Sequence, residues 1–136
     1  MSASPVLALR RAVRAALVAD PGLVAALGGP HVFDEAPPRQ KRPYVAFGDA
    51  SARDWSVSLS SGDEQVFVLT VWSGERGVRE ALEIAARIVA LLSDAALVLA
   101  GHRLIDLSYV ATATRREQNG RFARADIRFR ATTEVL

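Results

Sequence analysis

Apolar residues recur along the chain with two different periods, and the switches between them mark its elements. Val6, Leu9, Val13, Ala16 and Leu17 repeat at helical spacing behind Ser4 and Pro5, a cap and first-turn pair, which predicts a helix over about Pro5–Ala19. Asp20, Pro21 and Gly22 restart the pattern as a second cap, and Leu23, Val24 and Leu27 give a short helix stopped by Gly28 and Gly29. A short strand is expected at His31–Phe33. From Asp34 to Pro43 three prolines accompany Arg39, Lys41 and Arg42; such a run cannot hold a regular ladder and is expected to be an extended basic loop. Tyr44–Phe47 reads as a strand. The Ser, Asp and Gly content from Gly48 to Asp63 predicts a long, mobile connection or a hairpin around Trp55, Val57 and Leu59.

Glu64–Trp72 is the clearest strand. Val66, Val68, Thr70 and Trp72 point one way and Phe67, Leu69 and Val71 the other, so both faces are apolar. That pattern belongs to a central strand covered on two sides, by the chain's own helices or by another subunit. After Ser73 and Gly74, Val78, Leu82, Ala85, Ile88, Val89 and Leu92 resume helical spacing, with Arg79, Glu80, Glu83 and Arg87 opposite. A helix over about Glu75–Leu92, packed on the sheet and carrying a Glu83–Arg87 pair one turn apart, is expected. Leu97–Leu99 and the run from Arg103 flank Ala100, Gly101 and His102, which suggests a tight turn between strands.

Two alternating runs, about Leu104–Arg115 and Phe122–Thr133, flank Gln118, Asn119, Gly120 and Arg121. Asn-Gly is the favoured two-residue hairpin turn, so a long terminal hairpin is expected. Its register would set Val110 opposite Phe129, Thr112 opposite Ile127 and Thr114 opposite Ala125 on the helix-facing side. The other face would carry Arg115 opposite Arg124, Ala113 opposite Asp126, Ala111 opposite Arg128 and Tyr109 opposite Arg130. Six arginines against Glu117 and Asp126 between positions 115 and 130 make the hairpin either a solvated, aggregation-blocking element or an arginine-rich surface for an acidic partner or for DNA passing nearby.

The chain of 136 residues is half apolar and 24% charged, the balance of one folded domain spanning residues 1–136. Together the periodicities describe an α+β protein: an antiparallel or mixed sheet with N-terminal helices and one long helix on one face. The pI of 9.7 overstates its basicity, since the net charge is only +2 and little titrates between histidine and tyrosine. Lys41 is the single lysine among 17 basic residues. Arginine suits bidentate contacts at interfaces, although a high-GC genome produces the same bias.

Several chemistries lack their residues. Without cysteine there is no disulfide, thiolate metal site or thiol nucleophile. No signal peptide or apolar run of about 20 residues is found, so neither export by a signal nor a membrane anchor is expected. No phosphate loop or GxGxxG run occurs. His31 and His102 are the only histidines, lie far apart and lack a carboxylate at ligand spacing. Asp63 and Glu64 read as solvated loop acids, and Trp55 and Trp72 as anchors of a core or interface. No catalytic residue, metal site or cofactor is expected.

The helix opening Pro5-Val6-Leu7-Ala8-Leu9, the Pro43-Tyr44-Val45 strand start and the Val68-Leu69-Thr70-Val71-Trp72-Ser73 strand follow in an order that spans nearly the whole chain. Next come the Gly77–Leu92 helix and the Thr114-Arg115-Arg116-Glu117-Gln118-Asn119-Gly120 hairpin. In this order and spacing the chain resembles the small tail-completion or tail-terminator proteins of long-tailed bacteriophages and gene transfer agents. The resemblance implies an α/β sandwich with helices on one sheet face. It also implies a ring, commonly of six subunits, that caps the finished tail tube and joins it to the neck. The implied partners are further copies of the chain, the tail tube protein and the head–tail connector or stopper protein, with DNA passing through the ring without specific binding. The implied location is the tail or neck of a particle assembled in the bacterial cytoplasm. The interface candidates are Arg39, Lys41 and Arg42 in the basic loop, Trp55 in the long loop, and Arg124, Arg128 and Arg130 on the hairpin. Two alternatives remain open: another neck or head-completion ring protein, and a nucleic-acid-binding module using the Arg115–Arg130 cluster, which would show strongly salt-dependent DNA binding.

Overall fold

A computed structural model describes residues 4–56, 61–117 and 120–136, apart from the side chain of Asp94. Helix α1 (Pro5–Val18) starts where the Ser4 hydroxyl accepts the Leu7 N–H at 3.2 Å. Asp20 caps α2 (Pro21–Leu27) by accepting the Leu23 N–H at 2.8 Å. Gly28, at φ 79°, ends α2 in the left-handed conformation that glycine adopts without strain. Strand β1 (Val32–Phe33) follows, then β2 (Tyr44–Asp54), β3 (Gly62–Ser73), α3 (Arg79–Asp94), β4 (His102–Glu117) and β5 (Phe122–Val135).

The strands form one mixed sheet in the order β1-β2-β3-β5-β4, parallel only between β1 and β2. The helices lie on one face. Ala8, Leu9, Val13 and Leu17 of α1, Leu23 and Leu27 of α2, and Ile84, Ala85, Ile88 and Leu92 of α3 bury against it. Opposite them stand Val45 and Phe47 of β2, Phe67, Leu69 and Val71 of β3, and the odd-numbered residues of β5 from Ala125 to Ala131. Phe67 and Phe129 are stacked cross-strand neighbours with centroids 5.3 Å apart, an arrangement worth about 0.5–1.5 kcal/mol beyond area burial. Gln65, 2% exposed, donates to the Pro5 carbonyl (3.1 Å) and the Thr133 hydroxyl (3.2 Å) and so fastens the start of α1 to the sheet.

The fold matches the expected α+β plan, with local corrections. The strand expected at Tyr44–Phe47 runs on to Asp54, and its connection to β3 is the hairpin alternative; Val57 and Leu59 fall outside the described residues. Continuation is possible because a bulge at Gly48 and Asp49 absorbs one extra residue and restores the register at Ala50 opposite Phe67. Asp63 and Glu64 therefore lie within β3, not in a loop. Helix α3 starts at Arg79, not Glu75. Arg87 does not pair with Glu83 but reaches across to Asp20 in a two-pronged contact at 2.9 and 2.8 Å, while Glu83 approaches Arg79 at 3.5 Å. Leu97–Leu99 forms only an isolated bridge, Leu99 to His102.

The terminal hairpin is present, although Gln118 and Asn119 of its turn fall outside the described residues. Its expected register holds from Arg115 opposite Arg124 through Ala111 opposite Arg128. Beyond that it shifts, because Val110 bulges out and sets Tyr109, not Val110, opposite Phe129. Arg130 then faces Ser108. The shift turns the Tyr109 ring to the helix side, where it meets Phe129 edge-on at 6.2 Å. A second bulge, at Ile105, falls between Leu104 and Asp106.

Candidate assembly interface

Among the described residues, no helix or loop covers the face of the sheet away from the helices. Val66, Val68 and Trp72 of β3 are half-buried on it, so the apolar second face of the central strand belongs to an open surface. At its middle a shallow depression of about 360 Å³ is floored by Gly48, Val68, Ala111 and Ala113 and rimmed by Asp49, Arg124 and Arg128. Small side chains on β2, β3 and β4 make this hollow.

A row of rings crosses one end of the same face. His31 stacks on Phe33 at 6.0 Å, Phe33 meets Tyr44 at 6.1 Å, Tyr44 stacks on Trp72 at 6.3 Å, and Trp72 lies 6.3 Å from Phe122. Tyr44 and Trp72 are direct cross-strand partners, and Phe33 and Phe122 lie diagonally to them, Phe33 opposite Ala46 and Phe122 two residues before Arg124, the partner of Trp72. Two guanidiniums fix it. Arg42 lies 4.0 Å from the centroid of Phe122 and 5.9 Å from that of Trp72, and Arg124 lies 5.4 Å from that of Trp72.

Charges on the face fall into two groups. Arg124 lies 3.4 Å from Glu117 and 3.5 Å from Asp126, and Asp126 accepts the Thr70 hydroxyl at 2.8 Å. Near the other end Arg53 binds Glu64 at 2.9 Å and Arg103 binds Glu134. Arg115, Arg128 and Arg130 are exposed, and no carboxylate among the described residues pairs with them.

The candidates named from sequence separate into two places. Arg42 of the basic loop and Arg124 of the hairpin meet around Trp72, with Arg39 and Lys41 exposed nearby in the loop. Arg128 and Arg130 continue along β5. Trp55 lies apart, at the opposite end of the sheet, where its backbone N–H donates to the Gly62 carbonyl at 2.9 Å and the residue is 42% exposed. Sequence reasoning missed Phe33, Tyr44 and Phe122 as members of one ring row. His31 and His102 are held on opposite edge strands or their approaches, β1 and β4. Among the described residues no group of three His, Cys, Asp or Glu side chains could hold a metal ion, and no helix is long and apolar enough to cross a membrane.

Residues 11–134 match the tail completion protein gp17 family. The chain belongs to that family. This tail completion protein is similar to a chain in the virion of a native gene transfer agent particle, with 33% identity over 98% of this chain and 99% of that one, at a TM-score of 0.87. Bacteriophage SPP1 gp17 protein shares its fold at a TM-score of 0.65, with 23% identity over 93% of this chain and 88% of that one. No curated protein matches it. Within the tail completion fold, the ring row and the arginines lie on the one sheet face that the helices leave open.

Proposed function

We propose that this protein is a tail terminator: a structural subunit that forms a ring with copies of itself, caps the tail tube and joins it to the neck connector. The open sheet face carries the proposal. A half-buried apolar strip flanked by arginines and aromatic rings has the composition of an assembly interface. The tail completion family and the likeness to a chain of a gene transfer agent virion support placing that interface in the tail or neck of a phage-like particle, in a structural and not a catalytic role. A closed ring of identical subunits needs two different patches that meet with a closing rotation. The open face and the helical layer supply two such unlike surfaces on each copy. Arg39, Lys41, Arg42, Trp55, Arg124, Arg128 and Arg130 are the proposed contact residues.

Light scattering of the purified chain, alone and with assembled tail tubes, followed by electron microscopy of the mixture, tests this. Rings of uniform diameter seated on tube ends are the expected result. A chain that neither associates with itself nor binds tubes would remove the terminator role.

A further inference from the structure

One end of the sheet gathers basic residues from three distant stretches of sequence. Arg39, Lys41 and Arg42 come from the loop before β2, and Arg76 from the turn after β3. Arg115, Arg116 and Arg121 come from the tip of the β4–β5 hairpin. The juxtaposition is direct. Arg42 lies over Phe122 of β5, and its Cβ is 3.6 Å from where a Cβ on Gly74 would stand. All these cations are exposed, and none has an ion-pair partner among the described residues. The nearby acids are engaged elsewhere: Glu75 approaches Arg79 at 3.6 Å and Glu117 lies beside Arg124.

We infer that this basic end docks a carboxylate-rich surface of a different protein, the partner to which the terminator would be joined; the inference rests on the terminator reading. Charge complementarity selects acid, since a concentrated positive end whose cations have no ion-pair partner among the described residues makes its favourable contacts with anions. The rings favour protein over single-stranded nucleic acid. A base needs a bare aromatic face to stack on, whereas Trp72 already has Arg42 and Arg124 against it and Tyr44 and Phe122 beside it. Arg42, held over two rings, presents a pre-oriented guanidinium of the kind that fits a carboxylate fork. A second copy fits poorly. The exposed carboxylate Asp54 faces Asp63 across the strands at the opposite end of the sheet, and joining basic end to acidic end stacks copies along the strand direction unless the contact also supplies a closing rotation.

The test compares wild type with a tip variant, Arg115→Glu/Arg116→Glu/Arg121→Glu, and with Arg42→Gln. Mass is read by light scattering, and binding by co-sedimentation with assembled tail tubes and, separately, with purified neck connector. The tip variant should keep the wild-type mass and melting temperature while binding one of the two partners at least tenfold more weakly. Arg42→Gln should weaken the same partner, and wild-type binding should fall as salt rises. Undiminished binding of both partners by both variants would overturn the inference alone. So would loss of self-association in place of partner binding, which would make the occupant a second copy, or displacement of the partner by duplex DNA, which would make it nucleic acid. Wild type that binds neither partner would sink the terminator reading and this inference with it.

Discussion

Leu69 and Val68 are neighbours in β3 whose side chains point to opposite faces, so substituting each separates folding from assembly. Leu69 is fully buried, between Phe47 on β2 and Ile127 on β5. Truncation to alanine there leaves a cavity among rings and branched chains that cannot collapse, and should cost about 3 kcal/mol within the range of about 2–5 for buried leucine. For a chain of this size that corresponds to a melting temperature lower by about 10 °C. Val68 lies on the open face in the floor of the shallow hollow, opposite Arg128. Val68→Asn loses only a partly covered side chain and some strand preference, about 0.5–1 kcal/mol in the free chain. In the assembled state the same amide would be buried in an apolar contact, and a penalty of about 1.4 kcal/mol there weakens association about tenfold. Thermal melting by circular dichroism and mass by light scattering measure the two effects. If Val68→Asn lowered the melting temperature as far as Leu69→Ala, or left association untouched, the division of β3 into a core face and an assembly face would be wrong.

Gln65→Leu keeps the volume but strips two hydrogen bonds from the start of α1 and a buried threonine hydroxyl; about 1–3 kcal/mol should be lost, with faster amide hydrogen exchange confined to the first turns of α1. Arg124→Ala should leave Glu117 and Asp126 without their cation and uncover one face of Trp72, which a red shift of tryptophan emission would report; unchanged emission would contradict the ring row. The Asp20 carboxyl is held below the ordinary carboxylate range by its hydrogen bonds from Arg87 and from the Leu23 N–H. Because the folded value is the lower one, the stabilisation is complete above about pH 4 and disappears as pH falls through the folded value. Asp20→Asn should therefore be less stable than wild type at neutral pH, with the difference shrinking in acid, as melting temperature against pH would show.

Elements whose signal is local are legible in the chain's own pattern. Ser4-Pro5 and Asp20-Pro21 announce helix starts through hydrogen bonds spanning three residues, and β3 announces itself by unbroken alternation. The two-faced apolar pattern of Val66–Trp72 also identifies β3 correctly as central, and leaves open which side its own helices cover. Bulges are not legible in this way. Nothing in Tyr109-Val110-Ala111 distinguishes a regular strand from one that ejects Val110; the edge-on contact of Tyr109 with Phe129 that accompanies the shift depends on a residue twenty positions away. The site is half legible for the same reason. Arginines on β5 follow from alternation, but the meeting of Arg42 with Phe122 requires a loop and a hairpin tip to converge at one end of the sheet. Arg87 illustrates the limit most simply: a neighbour one turn away is available, and the tertiary partner Asp20, already oriented by its capping bond, takes the contact instead.

The bulges on β4 bear on how the protein survives before it is used. As the outer strand of the sheet, β4 would present sixteen residues of unpaired backbone to any passing chain. Ejecting Ile105 and Val110 cuts that margin into short lengths whose donors and acceptors fall out of step with a straight incoming strand. On the other margin, β1 covers only the base of β2, and the bulge at Gly48 and Asp49 interrupts the rest. Fibril growth by strand addition is thereby starved of a template. Even at high concentration such a chain resists polymerising through its backbone, which leaves side-chain surfaces alone to decide what it joins.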